Sequence, residues 1–303
     1  MLAKITTGLL VAFLSVLMSA AAARGVALNT LYANAGRGDS TLYTVDDRGR
    51  ATAVGPMGVN NITDIAFCGG TLYGITASKF YQIDPNTGAA SLVGPLHFGG
   101  MDALAADPAT GTIYAAGGDG FFITIDPVTG AGTKIGSLGT VEKGKITSGG
   151  DLAFDPQGAR LYASVHWSHH GTNDFLATID PLNGAATIIG TIGFDQVHGL
   201  AFKDGILYGV TDNQELLRLD LLTGRGTMIS NTGIGPYGLT ASPVPVPNTL
   251  WLLGSGCIYL VCWGRRRGNS RRHWPGSRCP PPPLGSAASR PAPTVKPNYE
   301  TIQ

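Results

Sequence analysis

Five times between residues 31 and 241 the chain repeats one short pattern, and this repeat limits the possible folds more tightly than anything else in the sequence. Each unit opens on an apolar residue followed by tyrosine: Leu31-Tyr32, Leu72-Tyr73, Ile113-Tyr114, Leu161-Tyr162 and Leu207-Tyr208, at steps of 41, 41, 48 and 46 residues. A second element ends in an aspartate, namely Asp46, Asp84, Asp126, Asp180 or Asp220. In four units a turn follows: Pro85-Asn86-Thr87-Gly88, Pro127-Val128-Thr129-Gly130, Pro181-Leu182-Asn183-Gly184 and Leu221-Leu222-Thr223-Gly224. The third element closes in Val54-Gly55, Val93-Gly94, Ile135-Gly136 or Ile189-Gly190. The fourth is rich in small residues: Ile65-Ala66-Phe67, Leu104-Ala105-Ala106, Leu152-Ala153-Phe154, Leu200-Ala201-Phe202 and Leu239-Thr240-Ala241.

Four short strands in a period of this length, joined by Asp-Pro-x-Thr-Gly turns, predict propeller blades whose sheets bury both faces against their neighbours. The alanine-containing strand is expected innermost, where strands crowd around the axis. The Leu-Tyr strand comes next, then the strand ending in Asp, with the Ile-Gly strand at the rim. On this order the first unit lacks an inner strand and the last inner strand lacks a blade, so the two ends should complete each other and leave no open sheet edge. The fold class expected is all-β, a five-bladed β-propeller over residues 24–242 closed by N- and C-terminal strands, with a C-terminal hydrophobic helix beyond it. A solenoid is the alternative, disfavoured by the lack of terminal caps. The 44 glycines and 14% charged residues agree with a turn-rich β protein.

The ends differ from this body. Residues 1–23 place Lys4 before an apolar core from Leu9 to Met18 and finish in Ser19-Ala20-Ala21-Ala22-Ala23, the layout of a secretory signal peptide, or of an uncleaved anchor; either exports the body. Cys68 is the one cysteine within residues 24–242, so no disulfide framework is expected. The same residues hold 12 Lys and Arg against 19 Asp and Glu, a net charge of −7 that argues against nucleic acid as a partner.

Residues 243–267 carry a proline motif, then an uncharged run from Thr249 to Gly264, then Arg265-Arg266-Arg267 as a positive-inside stop, so membrane contact is expected through 249–264. The order resembles the PEP-CTERM sorting signal. Val244, Pro245, Pro247 and Thr249 stand at the motif positions, and Val246 replaces the usual glutamate. That resemblance implies a Gram-negative bacterium that makes extracellular polysaccharide, an exosortase-type processing enzyme as partner, and a path from cell envelope to cell surface. A plain C-terminal anchor is the simpler alternative. The body is similar to secreted propellers with YVTN, NHL and YWTD-like repeats in repeat architecture alone. Residues 268–303 depart from the sorting family, which ends soon after its arginines; with Pro280-Pro281-Pro282-Pro283 they read as a disordered Pro/Arg-rich tail.

Two groups are candidates for chemistry. Asp64, Asp102, Asp151, His198 and Tyr237 lie in segments expected to be loops entering the inner strands, where they would ring one channel mouth and offer oxygen ligands to Ca²⁺. His166, His169, His170 and Asp174 lie in an irregular stretch of the fourth unit, read as a loop, and form a second candidate metal site. The five repeated aspartates read as turn residues rather than acids for catalysis, and no Gly-x-Ser-x-Gly elbow, Walker loop or paired-Cys motif occurs. The expected role is therefore a non-enzymatic surface or matrix propeller that binds an exopolysaccharide or a surface protein. The rival is a metal-dependent propeller hydrolase or lyase with its site at the channel mouth.

Overall fold

The computed structural model describes residues 29–243 apart from 37, 169, 170 and 172, and every regular element among them is a β-strand. The signal segment, the expected C-terminal helix, the sorting motif and the tail lie outside the described residues, as do His169 and His170. Five antiparallel sheets form the body. The first runs β1 (Leu31–Ala35), β2 (Asp39–Val45) and β3 (Ala51–Asn60), and the second β4 (Asp64–Cys68), β5 (Thr71–Ile75), β6 (Lys79–Ile83) and β7 (Ala90–Pro95). The third holds β8 (Met101–Ala106), β9 (Ile113–Gly117), β10 (Phe121–Ile125) and β11 (Gly132–Ser137). The fourth adds a short β12 (Thr140–Val141) before β13 (Gly144–Phe154), β14 (Leu161–Trp167), β15 (Asn173–Ile179) and β16 (Ala186–Asp195). The fifth holds β17 (Val197–Lys203), β18 (Ile206–Thr211), β19 (Glu215–Leu219) and β20 (Gly226–Asn231), after which comes β21 (Pro236–Ala241).

The last strand β21 pairs with β1, Leu31 opposite Ala241 and Ala33 opposite Leu239, so the chain ends complete one blade together. Hydrogen bonds fasten the joint: Thr30 N–H donates to Ser242 Oγ at 2.9 Å, and Ser242 N–H donates back to Thr30 C=O at 2.9 Å. Lys203 Nζ reaches Asp47 across the same seam at 2.7 Å. Five apolar clusters fill the five gaps between neighbouring blades, and the one built on Leu31, Val45, Val210, Leu216 and Leu239 closes the seam like the other four. The strands nearest the axis, such as β1 and β9, are thus buried on both faces, which accounts for adjacent apolar residues where a one-sided sheet would alternate.

The repeat signature acquires physical roles here. The tyrosine and inner-strand phenylalanine meet across blade boundaries, as in Tyr32 with Phe67 (5.4 Å between ring centroids) and Tyr162 with Phe202 (5.5 Å). Each turn aspartate caps its own turn: Asp126 Oδ1 accepts from Val128 N–H at 2.9 Å and Oδ2 from Thr129 Oγ1 at 2.8 Å, with equivalents at Asp84, Asp180 and Asp220. The rim glycine is an inter-blade feature. A Cβ at Gly55, Gly94, Gly136 or Gly190 would lie 1.8–2.2 Å from the carbonyl oxygen of Thr87, Thr129, Asn183 or Thr223, in the turn of the next blade. At the seam Ser230 takes the rim position, and the turn Gly49 makes room for its hydroxyl: a Cβ there would sit 2.0 Å from Ser230 Oγ.

Gly136→Ala therefore drives a methyl into a neighbouring backbone carbonyl. Overpacking of this kind is expected to cost about 1–3 kcal/mol, measured as a lower urea midpoint at unchanged slope. The Gly139→Ala control meets no atom within 4 Å, but its positive φ of 83° leaves a smaller backbone penalty.

Candidate functional site

The five candidates expected to ring one channel mouth lie not in loops but on the inner strands β4, β8, β13, β17 and β21, and the structure divides them into two groups. The division follows from aligning the inner strands on Ile65, Leu104, Leu152, Leu200 and Leu239. The residue just before this anchor is Asp64, Ala103, Asp151, Gly199 or Gly238, and the one before that is Thr63, Asp102, Gly150, His198 or Tyr237. Successive residues of a strand point to opposite sides, so one step of register separates two destinations.

Asp64 and Asp151 go to the axis, where both are fully buried. Asp64 accepts hydrogen bonds from the backbone N–H of Ile65 and Leu104, and Asp151 from those of Leu152, Leu200 and Leu239. Between them the two carboxyls receive one anchor N–H from each of the five blades. They also bond to each other. Burial pushes both well above the ordinary carboxylate range, and the Asp151 charge raises Asp64 further. Three backbone donors converge on Asp151 against two on Asp64, and the bond between them lowers Asp151 while it raises Asp64, so Asp64 holds the shared proton more tightly. The small residues at the other three positions leave the space: a Cβ on Gly238 would stand 2.2 Å from Asp64 Oδ1. These carboxyls are committed to backbone and to one another, and they do not join Asp102, His198 and Tyr237 at the mouth.

The preceding set, Thr63, Asp102, Gly150, His198 and Tyr237, lines a pocket of about 380 Å³ at that mouth, together with Gly118, Thr147, Ser148, Gly149 and His166. His166 and Asp174 are not loop residues. His166 lies on β14 and Asp174 on β15, whose lengthening in the fourth blade builds the pocket wall. Trp167 braces this extension, its indole N–H donating to Val141 C=O at 3.1 Å. A register shift in β13 between Ser148 and Leu152 turns Gly149 C=O toward His198 Nδ1 at 3.1 Å. A Cβ on Gly150 (φ 131°) would meet that imidazole at 2.8 Å, so glycine is required there. Among the described residues no three His, Cys, Asp or Glu side chains gather to hold a metal ion.

The charges of the pocket are unequal. His166 Nδ1 sits 2.6 Å from Asp174 Oδ1, and Asp174 Oδ2 accepts from Val197 N–H at 2.6 Å. The hydrogen bond to Asp174 holds His166 above its ordinary pKa. Burial lowers His198. Burial also raises Asp102 to about 6, against an opposing hydrogen bond from Ser148 and the nearby charge of His166. Asp102 Oδ1 is buried with no hydrogen-bond partner. Thr63 and the His166–Asp174 wall were not assigned to this mouth from sequence; the register of the alanine strands carries the signal for Thr63.

Two stability outcomes follow. Asp151→Ala strips the acceptor from three inward N–H groups and is expected to cost about 3–5 kcal/mol. Asp64→Asn, whose amide can donate to Asp151 as the protonated acid does, should cost clearly less in the same urea titration. Burial raises the folded pKa of Asp102 to about 6, above its ordinary 3.8. Its folded state therefore holds the proton more tightly, and this stabilisation is complete below pH 3.8 and lost as pH rises through about 6. Asp102→Asn should accordingly be more stable than the parent at pH 8, on the order of 1–3 kcal/mol, with the gain vanishing at pH 4.

No family model matches the chain, and no curated protein matches it. Among solved structures, a protein in a nidogen/laminin complex is 13% identical, covering 70% of this chain and 98% of its own at a TM-score of 0.49. A structural genomics protein of unknown function from Bacteroides thetaiotaomicron is 19% identical, covering 73% of this chain and 60% of its own at 0.45. A Lactobacillus plantarum protein is 16% identical, covering 70% and 71% at 0.37.

Proposed function

We propose that this chain is an exported cell-surface or extracellular-matrix propeller of non-enzymatic role, which binds a polar ligand at the mouth of its central channel. The observation that carries the reading is the mouth pocket itself, where a rigid ring of inner strands presents Asp102, His198 and Tyr237 around a space large enough for a small ligand or the end of a chain. The acidic body favours a glycan or a protein over nucleic acid as that ligand. Export rests on residues 1–23. Sorting by an exosortase-type system rests on Val244, Pro245, Pro247, Thr249 and the three arginines at 265–267. A second reading, a hydrolase or lyase acting at the same mouth, draws support from the His166–Asp174 pair, because a carboxylate that fixes an imidazole also prepares it for proton transfer.

One experiment separates the two. Purified protein is incubated with exopolysaccharide from the producing cells, and both co-sedimentation and the release of reducing ends or unsaturated products are followed. Retention on the polymer without product, weakened at least tenfold by Tyr237→Ala, is the expected result. Product formation that disappears in His166→Ala would establish the enzyme instead, and neither retention nor product would end the glycan reading.

A further inference from the structure

The binding reading above leaves the ligand's chemistry open, and the unmatched charge in the pocket narrows it. We propose that the channel mouth recognises a primary ammonium group on a hydroxylated skeleton, as in an aminosugar residue, with the Asp102 carboxylate as its counter-charge. A carboxylate oxygen buried without a donor is costly, and the cost is relieved when a ligand brings one. Ser148 hydrogen-bonds the same carboxylate.

A cation suits this position better than a neutral donor, for three reasons. No lysine or arginine lines the pocket. Of its two imidazoles, burial lowers the pKa of His198, and His166 is already paired with Asp174 at 2.6 Å, so the Asp102 charge is compensated only in part. The further charges acting on the two imidazoles, from Asp195 on His166 and from Asp212 on His198, are also acidic. A hydrogen bond in which both partners are charged is about twice as strong as a neutral one.

The opposite wall sets the skeleton. His198 and Tyr237 place their rings 5.8 Å apart at 33° to one another, a tilted aromatic platform suited to the C–H face of a sugar and attractive to a nearby ammonium. The volume of about 380 Å³ lies near the lower end of ligand pockets and suits one monosaccharide unit rather than a longer segment.

The test is calorimetric titration of the full chain at pH 7 with glucosamine, N-acetylglucosamine, glucose and N-α-acetyl-lysine amide. Glucosamine is expected to bind at least tenfold more tightly than the other three. Asp102→Asn should abolish that preference, and Tyr237→Ala should weaken the sugars together. Affinity for the amine should fall between pH 7 and pH 5: Asp102 takes up a proton, and His166, facing it from β14, gains positive charge, while Ser148 does not titrate and His198 on β17 adds charge of the same sign. Equal binding of the acetylated or neutral sugar would overturn the ammonium assignment, as would a preference that survives Asp102→Asn, while leaving a glycan-binding mouth intact. Tighter binding of the lysine derivative would overturn the sugar skeleton and point to a protein ligand. No binding of any of the four, with polymer retention unchanged by Tyr237→Ala, would remove the mouth as a binding site altogether.

Discussion

Two carboxyls at the axis hold this ring together. A propeller brings the inner strands of all its blades to one line, and each delivers a backbone N–H that no ladder partner can take. In this chain five such groups, on Ile65, Leu104, Leu152, Leu200 and Leu239, point at a space closed to water, and Asp64 and Asp151 accept all of them. Buried amides without acceptors would each carry a desolvation penalty of about 1–3 kcal/mol. Two acids meeting in one buried place cannot both ionise cheaply, and sharing a proton resolves the conflict. The central plug is therefore asymmetric, with two acidic blades serving three whose equivalent residues are Ala103, Gly199 and Gly238.

The periphery follows the opposite logic. At the rim four blades contribute the same turn and four the same glycine, so that turn and strand interlock around the circle. The seam shows how little this device depends on the chain being continuous. Ser230 stands where the other blades carry the rim glycine, and against the turn glycine Gly49 the contact is made anyway. Strand pairing between β21 and β1, the Lys203–Asp47 ion pair and the fifth apolar cluster then make the joint equivalent to the blades formed within one stretch of sequence.

Blade number, strand order and the shared blade were all legible in the sequence, because each rests on a local signal repeated around the ring: a turn aspartate in all five units, and a rim glycine and an inner-strand alanine in four. The site was legible only in part. Asp64, Asp102, Asp151, His198 and Tyr237 look alike as polar residues ahead of a small-residue strand, yet a shift of one residue sends Asp64 and Asp151 inward as structural acceptors and leaves the other three at the mouth. Period-two geometry makes such a slip decisive. His166 and Asp174 were read as loop residues because the fourth repeat is long and irregular there. Pairing of β14 with β13 and β15, secured by Trp167 against Val141, turned the insertion into more sheet. No local pattern announces that outcome.

That extension also makes one mouth of a nearly symmetric ring unequal from blade to blade. Five equivalent blades would present five equivalent edges to a ligand on the axis, and a chiral, unsymmetrical molecule needs unequal ones. The fourth blade supplies the inequality. Its longer strands raise His166 beside Asp102, its Gly149-Gly150 step makes room for His198 from the next blade, and Asp174 ties the new wall to Val197 at the start of β17. The same step leads straight into Asp151, the acceptor for three blades. The pocket floor and the structural plug are thus consecutive residues of one strand, so the element that shapes the ligand site is anchored by the best-held group in the ring. A ligand at the mouth meets side chains whose positions were fixed by folding, which lowers the entropy lost on binding.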